Sequence, residues 1–154
     1  MHQNAAVCLR EPGYTHDARV IASIDNFFSI NSAIEVDLLG NVNAETITGP
    51  DGRWRHVGGV GGLPDFARAA PLSRNGQAAI ALASRTARQQ PRIVARLSGP
   101  CTLAASDADL VITEYGVARL RDANFDERVQ RMLRIAHPED SDSLACQARE
   151  LGLL

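Results

Sequence analysis

Residues 57–84, VGGVGGLPDFARAAPLSRNGQAAIALAS, place a glycine-rich loop, the start of a helix and an apolar strand one after another. Pro64 suits the first turn of a helix, and Asp65 suits the electropositive helix start. Residues 77–84 have the composition of a strand. This succession indicates a fold that mixes helices and strands, so we predict an α/β or α+β class.

Other strands are predicted on both sides of this stretch, at residues 27–30, 33–38, 92–97 and 107–113. In the AIEVDL run of residues 33–38, apolar side chains alternate with Glu35 and Asp37. Such alternation is typical of a half-buried strand that turns its acidic side chains to solvent. The sequence therefore predicts a sheet of about five strands.

Helices are predicted mainly in the last third of the chain. Residues 124–136 carry apolar side chains near helical spacing, and Pro138 would end that helix. A last helix is predicted over residues 141–151 with Ser141 as its N-cap. Residues 116–121 are predicted to form one or two helical turns, and the first 19 residues are predicted to be irregular.

Length and composition narrow the class of protein. The 154 residues suit a single domain, and the net charge of −2 does not favour nucleic acid or an anionic membrane as partner. All 16 basic residues are arginine, which excludes a P-loop lysine and a lysine Schiff base. There is no apolar run of about 20 residues, no signal-peptide pattern and no CxxC motif, although three cysteines are present. We therefore expect a cytoplasmic protein without a membrane span.

The strongest local signal is the cluster of Gly58, Gly59, Gly61 and Gly62 just before the predicted helix. Glycine lets a ligand approach the main chain, and converging N–H groups can bind a phosphate or a developing oxyanion. A dinucleotide fingerprint is disfavoured because Pro64 stands where the third glycine of GxGxxG would be, counted from Gly59. A plain tight turn remains the alternative.

Glu114 is the second candidate, because it directly follows a predicted strand in an α/β pattern. The alternative is a carboxylate that only satisfies backbone N–H groups at a helix start. His56 adjoins the glycine cluster and is the histidine expected to be nearest a ligand, whereas His137 is expected to be structural. No pair of histidines has metal-ligand spacing, so no metal site is predicted.

Four segments in order resemble the acetyl-CoA hydrolase/CoA-transferase family, which includes 4-hydroxybutyrate and succinyl-CoA:acetate CoA-transferases. They are SINSAIEVDLLGNVNAE (29–45), GGVGGLPDFARAA (58–70), VITEYGVARLR (111–121) and IAHP (135–138). The resemblance covers residues 14–154 approximately and concerns the C-terminal domain of the family. It implies a CoA-transferase-like α/β fold (NagB/RpiA/CoA-transferase-like), with a mixed sheet flanked by helices.

The resemblance also implies a chemistry, in which a glutamate of the family's N-terminal half forms a glutamyl-CoA thioester. That glutamate has no counterpart in this chain, so the isolated chain is expected to be inactive. By resemblance, Gly62 supplies an oxyanion-hole N–H and Glu114 supports the nucleophile. CoA-binding roles are expected for Gly59, Gly61, His56 and His16; the last stands about where the family has an asparagine.

Coenzyme A is expected as a substrate and no cofactor is expected. The expected partners are an acyl-CoA, a small carboxylic acid, a chain that carries the N-terminal half, and further copies of the protein in a homo-oligomer. An exposed apolar face is expected where that half would dock. The alternatives are an acetyl-CoA hydrolase, an inactive remnant or binding module, and a nucleotide-phosphate module, which the broken GxGxxG disfavours.

Overall fold

The computed structural model describes residues 4–59 and 61–154. Its helices are α1 (Pro12–Thr15), α2 (Ala18–Ala22), α3 (Leu63–Ala69), α4 (Phe125–Ile135) and α5 (Ser141–Glu150). Its strands are β1 (Phe28–Asn31), β2 (Glu35–Asp37), β3 (Val42–Asn43), β4 (Thr46–Thr48), β5 (Trp54–His56), β6 (Gln77–Ala81), β7 (Ile93–Val94), β8 (Leu110–Thr113) and β9 (Gly116–Arg119). Short 3₁₀ turns join some of these elements.

The main sheet has the strand order β1-β6-β8-β9. Strands β1, β6 and β8 are parallel, and β9 returns antiparallel to β8. This confirms the predicted mixed sheet. Because parallel strands end at the same edge of a sheet, the segments that follow Asn31, Ala81 and Thr113 lie along one edge, called here the carboxyl edge.

The hydrophobic core lies on one face of this sheet. Alternate strand residues Ala78, Ile80, Val111 and Ala118 are buried there with side chains from the helices, among them Ala67, Val129 and Met132. Alternation follows from the two-residue repeat of a strand, which turns successive side chains to opposite faces. The helices therefore flank the core face of the sheet, as predicted for the fold class.

The chain enters β1 and β6 from the edge opposite the carboxyl edge. An ion pair joins Asp25 and Arg74, and Asn26 N donates to Arg74 O at 2.8 Å, so the segments just before these two strands are fastened together. Helices α2 and α3 lead into these segments.

A three-stranded sheet, β3-β2-β7, and the hairpin β4–β5 complete the strands. The prediction that β2 is half buried is wrong, because Glu35 and Asp37 are only 8% and 6% exposed. Each carboxylate is fully engaged. Glu35 accepts hydrogen bonds from Ser98 and Asn43, and Asp37 accepts from the amides of Leu39 and Asn41. The alternating pattern therefore marks two buried faces, one apolar and one polar.

Three local predictions are corrected by the structure. Residues 116–119 form β9 and not a helical turn, and Gly116 takes a φ of +146° directly after the turn that reverses the chain. Residues 12–22 contain α1 and α2, the second capped by Asp17, so the N-terminal segment is not irregular throughout. Ser141 lies inside α5, whose N-cap is Asp140.

Candidate functional site

The glycine cluster forms an exposed approach to α3. Gly58, Gly59 and Gly61 are exposed, and open space surrounds the position that a Cβ would take on each of them. His56 is exposed at the end of β5, just before the cluster. These four residues therefore offer main-chain and imidazole groups at the surface, and no packing constraint explains the glycines at 58, 59 and 61.

Gly62 differs from its neighbours, because its side-chain position is already occupied. A Cβ on Gly62 would lie 2.5 Å from His16 Cδ2 and 2.9 Å from Phe66 Cε2, and would also overlap His16 Nε2. Its φ is −78°, so left-handed backbone is not the reason for glycine here. Glycine is required at this position because two rings pack directly against the main chain.

His16 is held in this place from two sides. Its ring meets the Phe66 ring edge to face, with 4.9 Å between centroids, and its Nδ1 lies 2.9 Å from Thr15 Oγ1. Among the residues that the structure describes, the Gly62 amide donates no hydrogen bond. The structure thus brings His16 and Gly62 together beside a main-chain donor that is available to a ligand.

Glu114 follows β8 directly and is held by a two-point contact with Ser84. Ser84 N donates to Glu114 Oε2 at 2.8 Å, and Ser84 Oγ donates to Oε1 at 2.7 Å. These bonds from Ser84 hold the pKa of the Glu114 carboxyl below its usual value, the hydroxyl bond contributing most. Glu114 is therefore an exposed carboxylate that stays ionised and fixed in orientation.

Cationic and aromatic groups surround this carboxylate. The His137 ring packs edge to face on Tyr115 with 5.4 Å between centroids. In its neutral form its Nδ1 accepts the Glu139 amide at 3.3 Å, as expected for a structural histidine. When the ring is protonated, its positive charge lowers the pKa of Glu114. Arg92 faces Glu114 at longer range, while burial lowers the pKa of its guanidinium.

The structure therefore gives two separate groups of candidate residues. One contains His16 and Gly62, the other Glu114 and Ser84. Within the described residues no hydrogen bond or ring contact joins the two groups. Sequence reasoning missed Ser84 as a functional residue, because its place beside Glu114 depends on the pairing of β6 with β8.

Residues 4–59 and 61–154 contain neither a metal-binding cluster nor a helix that could cross a membrane. This part of the chain holds no group of three or more His, Cys, Asp or Glu side chains that could bind a metal ion. None of its helices has the length and apolar character needed to cross a membrane.

Known proteins resemble this chain over nearly its whole length. Residues 1–148 match the family profile described as the acetyl-CoA hydrolase/transferase C-terminal domain. A probable butyrate:acetyl-CoA coenzyme A-transferase of Syntrophomonas wolfei is 36% identical over 146 residues, which cover 91% of this chain and 31% of that protein. Relatives named CoA-transferases are 32 to 37% identical, and two named acetyl-CoA hydrolases are 26 to 27% identical.

Solved structures agree with this result. RipA from Yersinia pestis superposes with a TM-score of 0.83 at 34% identity, covering 92% of this chain and 31% of that one. A 4-hydroxybutyrate CoA-transferase from Porphyromonas gingivalis gives a TM-score of 0.69 at 32% identity, covering 90% of this chain and 30% of that one. The chain thus spans about a third of the length of the relatives it matches. It belongs to the acetyl-CoA hydrolase/transferase family, whose C-terminal domain it matches.

Proposed function

We propose that this chain is the C-terminal domain of a CoA-transferase that moves CoA between an acyl-CoA and a small carboxylic acid. The observation that carries the proposal is the family match over residues 1–148. A transferase is favoured over a hydrolase because the relatives named transferases are the more similar ones. A hydrolase would use water in place of the acceptor acid.

The proposed reaction passes through covalent intermediates on a glutamate. Its carboxylate attacks the thioester carbonyl, and the tetrahedral oxyanion collapses to an acyl-glutamyl anhydride as CoA thiolate leaves. The thiolate then attacks the glutamyl carbonyl, which releases the first carboxylic acid as its carboxylate and leaves a glutamyl-CoA thioester. The acceptor carboxylate reverses these two steps, which yields the new acyl-CoA and restores the glutamate.

In this proposal the nucleophilic glutamate comes from the N-terminal part of the family, on the same polypeptide or on another one. Glu35, a buried carboxylate of this chain, is already engaged by Ser98 Oγ at 2.9 Å and by Asn43 at 3.1 Å. It therefore serves the packing of the second sheet and not the attack on a thioester. Glu45 lies beside the hairpin, where its carbonyl accepts the Val57 amide.

Gly62 would donate its amide N–H to the oxyanion of each tetrahedral intermediate. A preorganised donor of this kind stabilises charge as it develops and typically contributes a factor of about 10² to 10³ in kcat. His16, packed against Gly62, would add an imidazole contact to the acyl group or to CoA. Gly59, Gly61 and His56 would provide the exposed surface along which the CoA chain lies.

Glu114 would act beside the nucleophile and not as the nucleophile. Its ionised carboxylate is suited to orienting a neighbouring polar group or to repelling a nearby anionic intermediate. It lies at the carboxyl edge, where ligands bind in open α/β sheets.

A docking surface for the N-terminal part is present on the main sheet. The outer sheet face, opposite the core face, carries Phe28, Ile30 and Val117, which are 46%, 68% and 51% exposed. Ile112 and Ala81 are half-buried between them, and Ala79 and Leu110 on the same face are buried. Exposed apolar side chains grouped on one face are typical of an interaction surface. We assign it to the family's N-terminal part because the matched relatives are about three times longer than this chain.

The deciding experiment is an acyl-CoA:acetate transfer assay on the purified chain, alone and with the N-terminal part of the Porphyromonas gingivalis enzyme. Borohydride reduction would trap a glutamyl-CoA thioester, and mass spectrometry would locate it. We expect turnover only in the mixture, with the trapped glutamate on the added part. Turnover by this chain alone, or a modified glutamate within it, would show that the nucleophile has been assigned to the wrong part.

A further inference from the structure

Hydrogen bonds from Ser84 restrain the side chain of Glu114 more fully than is needed for an exposed carboxylate. Ser84 is 1% exposed, and it engages both oxygens of Glu114, one through its amide at 2.8 Å and one through its hydroxyl at 2.7 Å. A two-point contact removes the freedom of the terminal torsion of the glutamate. A glutamate that only ended a strand would not require this two-point contact.

Ser84 is itself anchored through its main chain. Its carbonyl accepts the Arg92 amide at 2.8 Å, which ties it to the strand segment that begins β7. The preceding residue but one, Leu82, donates its amide to Ile112 O at 3.0 Å and so continues the pairing of β6 with β8. The backbone around Ser84 is therefore held by the segment before β7 and by β8.

Arg85, the next residue, fastens the same loop to the start of α5. Its Nε and Nη2 donate to the two oxygens of Asp140 at 2.9 and 2.6 Å, and its Nη1 donates to Glu139 at 2.6 Å. The side chains of Arg85 and Asp140 are only 15% and 14% exposed. A planar guanidinium that binds one carboxylate through two parallel bonds has a single orientation, so this contact is specific as well as attractive.

We propose that Ser84 is a positioning residue for Glu114, and that the bonds from Arg85 to Asp140 and Glu139 hold Ser84 in place. The catalytic meaning of this arrangement rests on the proposed function, since it concerns the carboxylate that would stand beside the nucleophile. The structural part does not depend on it. The arrangement links three loops at the carboxyl edge, those after β6 and β8 and the turn before α5.

The chain contains a natural control for this arrangement. Ser98 engages Glu35 in the same manner, through its amide at 2.7 Å and its hydroxyl at 2.9 Å. Glu35 is buried, whereas Glu114 is exposed at the carboxyl edge. Ser98→Ala therefore removes an equivalent hydroxyl contact without touching Glu114.

The first test is a carboxyl ¹³C NMR titration of the purified 154-residue chain, in which Glu114→Gln assigns the Glu114 signal. In Ser84→Ala we expect the pKa of Glu114 to rise towards its usual value, because the hydroxyl bond that contributes most to its lowering is lost. The bond from the Ser84 amide remains in this variant, so part of the lowering persists. Ser84→Thr, which keeps a hydroxyl, should restore the wild-type titration, and Ser98→Ala should leave it unchanged.

Arg85→Gln tests the second half of the proposal. We expect the Glu114 titration to move in the same direction as in Ser84→Ala, because the loop that carries the serine is released. A wild-type titration in Ser84→Ala would overturn the role of Ser84, and a wild-type titration in Arg85→Gln would overturn that of Arg85. Both readings need neither substrate nor partner, so they are independent of the proposed reaction.

The second test concerns catalysis in the mixture with the N-terminal part. Ser84→Ala should lower kcat by about 10- to 100-fold with little change in KM, since a misplaced carboxylate harms the reacting geometry more than binding. Ser84→Thr should recover most of the wild-type kcat. An unchanged kcat in Ser84→Ala, alongside a shifted Glu114 titration, would show that the arrangement exists but that catalysis does not use it.

Discussion

At the scale of single residues, Gly61 and Gly62 are neighbours in the sequence with opposite constraints. Gly62→Ala would drive a methyl group into the His16 and Phe66 rings, whereas Gly61→Ala would place it in open space. We expect the first change to destabilise the chain by about 1 to 3 kcal/mol and the second to change stability by no more than about 0.5 kcal/mol. Urea unfolding followed by circular dichroism measures both.

A double-mutant cycle shows whether His16 is the cause. If the clash with the imidazole dominates, Gly62→Ala should cost clearly less in a His16→Ala background than in the wild type, and the difference is the coupling between the two positions. Equal costs in both backgrounds would assign the constraint to Phe66 or to the main chain. Phe66 lies inside the core-facing helix α3, so His16 is the more informative partner to remove.

The residue scale also shows what a single sequence can and cannot predict about the site. The glycine cluster and Glu114 were recognisable because their residue types and their positions beside predicted elements point to chemistry. The contact between His16 and Gly62 was not, because 46 residues separate them and nothing local encodes the packing of α1 against α3. Ser84 escaped notice because a serine after a strand has no distinguishing pattern until the strand order is known.

At the scale of elements, α4 depends on its N-terminal capping box. Asn124 Oδ1 accepts the Glu127 amide at 2.9 Å, and Glu127 Oε2 accepts the Asn124 amide at 3.0 Å. Asn124→Ala should therefore lower the free energy of unfolding by about 1 kcal/mol. Gln130→Ala, on the exposed side of the same helix, is the matched control and should not destabilise it. Chemical denaturation measures the free energy of unfolding of the two variants. Equal values would mean that packing alone determines where the helix starts.

The contact between Arg85 and Asp140 at the start of α5 makes the free energy of unfolding depend on pH. The bonds from Arg85 hold the pKa of Asp140 below its usual value, so the ionised form is favoured by folding. A lowered native pKa contributes stability that is present above the unfolded pKa of about 3.9, and that is lost as the pH falls through the native value. Asp140→Asn should therefore be less stable than the wild type at pH 7, and the gap should narrow below about pH 4.

Asp142→Asn, in the first turn of the same helix and outside the Arg85 contact, controls for the general effect of removing a negative charge near a helix start. Unfolding free energies at pH 7, 4 and 3 supply the comparison. A gap between Asp140→Asn and the wild type that is the same at all three values would mean that Asp140 acts through neutral hydrogen bonds at the cap.

Elements differed in how well local sequence encodes them. Helix α4 was predicted closely because the spacing of its apolar side chains indicates a helix and Pro138 marks its end. Strand β9 was predicted as helix, since GVARLR contains good helix formers, and only pairing with β8 decides its conformation. Helices α1 and α2 span only 4 and 5 residues, too few for periodicity to register. Helix α2 packs on α3 through the buried Ile21, whereas α1 buries no residue of its own.

At the scale of the whole molecule, the mixture of helices and strands could be predicted from the sequence pattern, and the mixed sheet from the resemblance to the family. Its division into four-, three- and two-stranded sheets could not, because that depends on long-range pairing. The burial of Glu35 and Asp37 belongs to the same class of error. Alternation shows that a strand has two different faces, but only the tertiary structure shows whether the polar face meets water or a set of hydrogen-bond donors such as Ser98.

The outer sheet face leads to a prediction about the molecule as a whole. Ile30 on β1 and Val117 on β9 lie on the same apolar face, at opposite edges of the main sheet. Ile30→Lys combined with Val117→Lys should weaken binding of the N-terminal part by at least tenfold, since two charges would be buried without partners in that interface. Stability of the isolated chain should change little, because both positions are already exposed.

Leu9→Lys is the control for exposed apolar surface in general, because Leu9 is 87% exposed and lies outside the sheet. Sedimentation of the isolated chain, and then of its mixture with the N-terminal part, separates the two occupants that this face could have. A monomer that binds the N-terminal part, with binding lost only in the double variant, places the interface on the outer sheet face. If the chain is a dimer and the double variant dissociates it, the outer sheet face binds a second copy of the chain. The N-terminal residues that complete the acyl-CoA site would then have to approach from the carboxyl edge alone.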